Sequence, residues 1–100
     1  IVGKSGVRVD EMSAARIQEM MAINVTGAIL CAREAVKRMS TKFGGKGGVT
    51  VNISSVAARL GSANTYVDYA ASKAAIDALT VGLSHEVATD GIRPCTELKP

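Results

Sequence analysis

The chain is 100 residues long, enough for one domain at most. Its formal net charge of +3 is spread over twelve basic and nine acidic residues, with no basic run interleaved with aromatics. That argues against nucleic acid as a partner. Hydrophobic residues make up 47% and aromatics only 3%, so small apolar side chains must fill the interior.

Ile1–Val9 reads as a glycine-punctuated loop. DEMSAARIQEMMAI then turns helical, with Asp10 or Ser13 as the cap and Met12, Ile17, Met20 and Met21 at helical spacing. The pattern continues as a long helix from Ile23 to Phe43. Ile23, Leu30, Val36 and Met39 are among its apolar positions, and Arg33, Glu34, Lys37 and Arg38 form its wet side. Gly27 follows Asn24 and Thr26 closely, and a helical glycine costs up to ~1 kcal/mol against alanine. A bend or break near Asn24 is therefore expected.

FGGKGG (Phe43–Gly48) follows a helix and opens a strand, the reverse of a phosphate cradle, so it reads as a turn. VTVNIS (Val49–Ser54) is rich in β-branched residues and apolar nearly throughout, as in a parallel strand buried on both faces. SSVAARLGSANT leaves that strand as a loop. The next segment, YVDYAASKAAIDALTVGLSHEVATDG, is the strongest helix in the chain. It is stopped by Gly91 and has Ala70, Ala74, Leu79, Leu83 and Val87 along one flank. The last residues, PCTELKP, read as neither helix nor strand. With a single strand in the pattern, the hydrogen-bond partners it needs are expected outside these residues.

Cys31 and Cys95 have no CxxC spacing and His85 is the sole histidine, which argues against a metal site and fits a reducing cytoplasm. No apolar run approaches the ~20 residues that span a bilayer, and nothing resembles a secretory leader.

Three features bear on chemistry: Asn24 at the expected bend, Ser54 and Ser55 at the strand end, and Tyr69 with Lys73 on the helix that follows. Ligands of open α/β sheets bind beyond the carboxyl ends of the strands, where the serines lie. Residues i and i+4 of a helix are neighbours, roughly 5–6 Å apart at Cβ. A phenol titrates near ~10 in water, and a nearby ammonium stabilises its charged form. So paired, a phenol serves as a general acid or base, and a serine hydroxyl on the same substrate oxygen stabilises developing charge. Each feature also has a plainer reading. A Tyr-x-x-x-Lys match is weak alone, serines at strand ends form turns, and asparagines at bends act as caps. Tyr66 has Ala70 at the i+4 position, and its default role is packing.

Together, Asn24-Val25, VNISS (Val51–Ser55) and YAASK (Tyr69–Lys73) resemble the short-chain dehydrogenase/reductase family, in the family's order and near its spacing. The run SSVAARLGSANTYVDYAASKAAIDALT is similar to bacterial sugar and carbonyl dehydrogenases. The resemblance covers residues 1–93, read as the C-terminal catalytic half of a Rossmann-type, doubly wound parallel α/β domain, with residues 94–100 a divergent tail. It implies an NAD- or NADP-dependent enzyme interconverting a small alcohol and a carbonyl. Tyr69 would be the acid/base. Lys73 would support its phenolate and bind the nicotinamide ribose. Ser55, rather than Ser54, would position the carbonyl or alcohol, and Asn24 would hold a water-borne proton relay to Lys73. It further implies a homo-dimer or homo-tetramer built on the long helices.

The family's TGxxxGxG turn, its NNAG motif and the residue that separates NAD from NADP are absent from these residues, and Pro94 replaces the expected VNxVxPG-like continuation. The isolated chain is therefore expected to be inactive. The alternative reading is a non-catalytic piece whose helices only self-associate.

Overall fold

The computed structural model of the protein describes residues 1–99. After an irregular start and a single 3-10 turn at Val9–Glu11, helix α1 runs Ala14–Met21. Of the two candidate caps, Ser13 is the one used: its side chain accepts the Arg16 N–H at 3.1 Å, satisfying one of the orphan donors of a first helical turn.

The expected break near Asn24 is a π-helical segment, Ala22–Thr26, after which α2 continues as Gly27–Met39. One extra residue per turn is inserted without ending the helix, a distortion that recurs at functional sites. The helix does not reach Phe43. Ser40 is extended and fully buried, and its hydroxyl oxygen accepts the Lys42 N–H, so Thr41–Phe43 forms a separate 3-10 turn.

Strand β1 is Gly48–Ser55. A short helix α3 (Ala57–Leu60) follows, then the long helix α4 (Val67–Glu86) and strand β2 (Ile92–Lys99). β2 runs parallel to β1 in the register Gly48↔Ile92 through Ser54↔Leu98. This corrects the sequence reading of the end of the chain. The stretch from Pro94 is a strand and supplies the partner that β1 was expected to find elsewhere; Pro100 lies outside the described residues. The segment lacks strand-like alternation, but among the described residues the sheet has two strands, which leaves each a free edge, and edges are where proline is tolerated.

Burial of β1 also differs from expectation. Val49, Val51 and Ile53 are 59%, 57% and 44% exposed, whereas Ser54 and Ser55 are buried. Helices cover the face carrying Asn52 and Ser54: Asn52 Nδ2 donates to Thr80 Oγ1 at 2.9 Å, and Ser54 Oγ donates to the Lys73 carbonyl at 3.2 Å. The β-branched run suits burial on two faces, and the described residues supply one layer.

The buried line of α4 runs through Ser72, Ile76 and Thr80 to Leu83 and to Val87 just beyond it; of the flank expected from the sequence, Ala70, Leu83 and Val87 are buried, Leu79 is half-buried and Ala74 is exposed. Two of these residues are polar but satisfied internally: Thr80 donates to the Ile76 carbonyl and Ser72 to the Tyr69 carbonyl, so burial leaves no unpaired hydroxyl. Leu83, Val87 and Ile92 form a small core with Ala32, Val36 and Met39 against it.

The FGGKGG turn is a close-packed corner. A Cβ on Gly45 would lie 2.5 Å from the Met39 carbonyl, and one on Gly47 would lie 2.4 Å from the Gly91 carbonyl oxygen. Gly45 and Gly47 are thus needed for backbone approach, which suits the reading as a turn. Among the described residues no helix is long and apolar enough to cross a membrane, and no group of acidic, histidine and cysteine side chains could hold a metal.

Candidate active site

β1 ends in Ser54-Ser55, and α4 begins at Val67 after α3 and a loop in which Ser62 and Asn64 have positive φ. Tyr69 lies in the first turn of α4 and Lys73 one turn later. Lys73 Nζ sits 5.7 Å from the centroid of the Tyr69 ring and donates to the Ile53 carbonyl of β1 at 3.0 Å. Two of the three ammonium donors are thus left for other acceptors. Among the described residues the Tyr69 hydroxyl makes no hydrogen bond, and its ring meets Tyr66 edge-on, with centroids 5.2 Å apart and planes at 60°. Tyr66, the N-cap residue of α4, braces that ring and has no cation beside it among the described residues.

The two serines are differently committed. The Ser54 hydroxyl is fully buried and donates to the Lys73 carbonyl, tying β1 to α4. Ser55 Oγ accepts the Ala57 N–H at 3.1 Å, so its own proton remains available to another acceptor.

Asn24 is buried within the π-helical segment. Its Nδ2 donates to the Ile1 carbonyl at 2.6 Å and to Ser72 Oγ at 3.1 Å, with Met20 Sδ at 3.2 Å, and its Oδ1 accepts from the Ile1 nitrogen. Ser72 in turn donates to the Tyr69 carbonyl at 2.7 Å. Asn24 is therefore linked to the main chain of Tyr69 through one buried hydroxyl. Asn24 and Lys73 also line a common cavity of about 370 Å³, together with Asn52 and Ile76. Asn24, Tyr69 and Lys73 are thus gathered around one turn of α4, while Ser55 stands at the end of β1 with no direct bond to the others.

Three residues at this site escaped the sequence reading. Ser72 lies inside YAASK but carries no sign of its burial. Asp68, in the first turn of α4, has a side chain only 3% exposed and accepts Arg16 Nε at 2.9 Å, Arg16 Nη2 at 3.2 Å and the Tyr69 N–H at 2.9 Å. Burial by itself pushes the Asp68 carboxyl up, but the hydrogen bonds from Arg16 and the Tyr69 amide outweigh it and hold the group below its usual range. The Asp68 carboxylate likewise raises the Arg16 guanidinium above its ordinary value. An acidic residue in a first helical turn is a recognisable signal; its partner 52 positions away is not.

Comparison with known proteins bears on the family and the fold. The family model described as short chain dehydrogenase matches residues 2–96. The chain is 64% identical over 85 residues to the uncharacterized oxidoreductase YgfF of Escherichia coli (strain K12), covering 85% of this chain and 34% of that protein. It is 34% identical over 79 residues to the chloroplastic NADPH-dependent aldehyde reductase 2 of Arabidopsis thaliana, covering 79% of this chain and 28% of that protein. A crystal structure of a short-chain dehydrogenase from Streptomyces avermitilis superposes with a TM-score of 0.80 at 29% identity, over 93% of this chain and 33% of that one. The chain spans about a third of the length of the curated relatives it matches.

Proposed function

We propose, from the premise that this chain belongs to the short chain dehydrogenase family, that it carries the acid/base half of an NAD- or NADP-dependent oxidoreductase interconverting a small alcohol and a carbonyl. The observation that carries the reading is a phenol with no hydrogen bond of its own among the described residues, one helical turn from an ammonium with donors to spare. The nicotinamide cofactor, when bound, supplies or accepts the hydride. Lys73 fits the ribose hydroxyls of such a group, because a multi-hydroxyl ligand needs the donors that the Ile53 carbonyl leaves free.

In the reducing direction Tyr69 gives its hydroxyl proton to the carbonyl oxygen as charge develops there, and in the oxidising direction it takes the proton back. The Ser55 proton hydrogen-bonds the same oxygen and holds it in line, as a preorganised donor should. The Ser54 proton is committed to the Lys73 carbonyl, which favours Ser55 for this role. Lys73 favours the phenolate left on Tyr69. Asn24 supports the turn from which both act, through Ser72 and the Tyr69 carbonyl, and borders the cavity in which a water would relay protons to Lys73.

The test follows oxidation of NADPH or NADH by a longer protein that carries these residues together with a dinucleotide-binding half, with aromatic and aliphatic aldehydes as probes. Tyr69→Phe is expected to lower kcat by about 10²- to 10⁴-fold, the usual worth of a positioned acid, and Tyr66→Phe by far less. Equal losses at the two tyrosines, or undiminished turnover by Tyr69→Phe, would refute the assignment. These 100 residues include no TGxxxGxG turn to hold a pyrophosphate, so the isolated chain is expected to show no cofactor-dependent turnover; measurable hydride transfer by it alone would contradict that.

Self-association accompanies this function as a second reading. Ile29, Val36, Phe43 and Leu79 line a groove of about 400 Å³ between α2 and α4, and Val81 is 62% exposed on α4. A homo-dimer or homo-tetramer through these helices predicts that Val81→Glu lowers the sedimentation mass of the protein; an unchanged mass would remove Val81 from any interface.

A further inference from the structure

We propose that Arg16 and Asp68 are positioning residues for Tyr69, a clamp that fixes the first turn of α4 against α1. The inference rests on the reading of Tyr69 as the acid/base. That tyrosine lies where a helix is least constrained, because the N–H groups of a first turn have no intrahelical partners. The N-cap residue, Tyr66, offers no side-chain cap. The Tyr69 amide is instead bound by Asp68 Oδ1 at 2.9 Å.

A carboxylate on a mobile first turn would be a loose anchor. Here it is gripped by both arms of the Arg16 guanidinium, Nε on Oδ2 at 2.9 Å and Nη2 on Oδ1 at 3.2 Å, the forked geometry that adds direction as well as strength. The guanidinium is held in turn. Its residue belongs to a helix capped by Ser13 through the Arg16 amide, and Gly3 lies beside it, where a Cβ would stand in ordinary van der Waals contact with Arg16 Cζ at 3.6 Å. The chain of contacts runs from α1 through a guanidinium and a carboxylate to the main-chain nitrogen of the tyrosine. It meets that residue from the side opposite in sequence to Ser72, which holds the Tyr69 carbonyl.

Among the described residues the two groups bond neither Lys73 nor Ser55, so their influence passes through placement of the phenol. Near-attack geometry is steep: a misplacement of ~1 Å costs up to ~10²-fold in rate. Loosening the clamp should therefore lower kcat and leave KM for aldehyde and nicotinamide alone.

The experiment compares the longer protein that carries these residues and a dinucleotide-binding half with its Asp68→Asn, Arg16→Met and Arg16→Lys variants, with Tyr69→Phe alongside. Steady-state kinetics with NADPH and the same aldehydes are combined with hydrogen exchange at the Tyr69 amide and at the mid-α4 amides of residues 75–79. Asp68→Asn and Arg16→Met are expected to lower kcat by roughly 10- to 100-fold with each KM within about twofold. Exchange at Tyr69 should speed up while the mid-helix amides keep their protection. Arg16→Lys, which keeps the charge and loses the fork, should fall between these and the parent; it carries the test if either of the others does not fold. Unchanged kcat, or a loss confined to KM, or exchange accelerated equally along α4, would overturn the clamp and leave the pair a general stabiliser. If Tyr69→Phe remains active, the acid/base assignment itself has failed. If it is inactive while the Arg16 and Asp68 variants turn over normally, only the clamp has.

Discussion

Replacing Gly47 by alanine is the sharpest probe of the corner where the two strands begin side by side. Gly47 has φ +77°, and a Cβ there would lie 2.4 Å from the Gly91 carbonyl oxygen and 3.1 Å from the Gly91 carbonyl carbon. Gly44, three residues earlier in the same turn, has φ +84° with nothing within 4 Å of its would-be Cβ. Alanine at either position pays the left-handed backbone cost, about 1–2 kcal/mol, and changes the unfolded chain in the same way. Gly44→Ala should cost that much and no more. At Gly47 the Gly91 oxygen must also move, and it already accepts the Gly48 N–H at 3.0 Å beside the first rung of the β1–β2 ladder, Gly48↔Ile92. Retreat is hindered because Thr41 lies behind Gly91, hydrogen-bonded through its amide to the Asp90 carbonyl at 3.0 Å. Overpacking of this kind costs typically ~1–3 kcal/mol, and loss of the Gly48 bond adds ~1 kcal/mol. Gly47→Ala should therefore destabilise by about 3–6 kcal/mol, some 2–4 kcal/mol more than Gly44→Ala. Urea unfolding of the two variants and the parent protein, followed by circular dichroism, measures the difference. Values for the two alanines within about 0.5 kcal/mol of each other, well below the overpacking cost, would refute the close approach of Gly47 and Gly91.

Ile76 is 3% exposed on the buried line of α4, and Ile76→Ala should cost ~2–4 kcal/mol in the same unfolding assay. Thr80→Val keeps the shape but removes the acceptor of Asn52 Nδ2; the loss should be ~1–2 kcal/mol, and Asn52→Ala should relieve part of it in the double variant. The Asp68 carboxyl is held below its ordinary value. The stability it contributes is complete above the unfolded aspartate value of ~3.9 and is lost as pH falls through the lower folded value. Asp68→Asn should therefore lose less stability than the parent between about pH 5 and pH 2; parallel acid-unfolding curves for the two proteins would show that Asp68 carries no such linkage.

Local patterns alone specified much of this molecule. The run around Ser13 placed a helix start, Gly27 after Asn24 placed the break that became a π-helical segment, and the β-branched run at Val49–Ser54 placed β1. These depend on capping, propensity and period, which act over a few residues. YAASK likewise places Tyr69 and Lys73 on neighbouring turns, because helical spacing is a local property.

What lay beyond reach was whatever depends on the opposite side of a contact. β2 exists because β1 offers it a hydrogen-bonding edge, although its own composition with Pro94 argues otherwise. The buried line of α4 passes through Ser72 and Thr80 because hydroxyls bonded to their own helix carbonyls can be buried, and hydrophobic pattern does not register them. The different commitments of Ser54 and Ser55 follow from which backbone group each one meets. The ion pair of Arg16 with Asp68 joins residues whose proximity is a product of helix packing, and no spacing rule links them. The sequence by itself determined which groups with acid–base chemistry the chain carries. Tertiary structure decided which of them are held, by what, and with which atoms left free to act, because long-range contacts form only once α1, α4 and β1 are brought together.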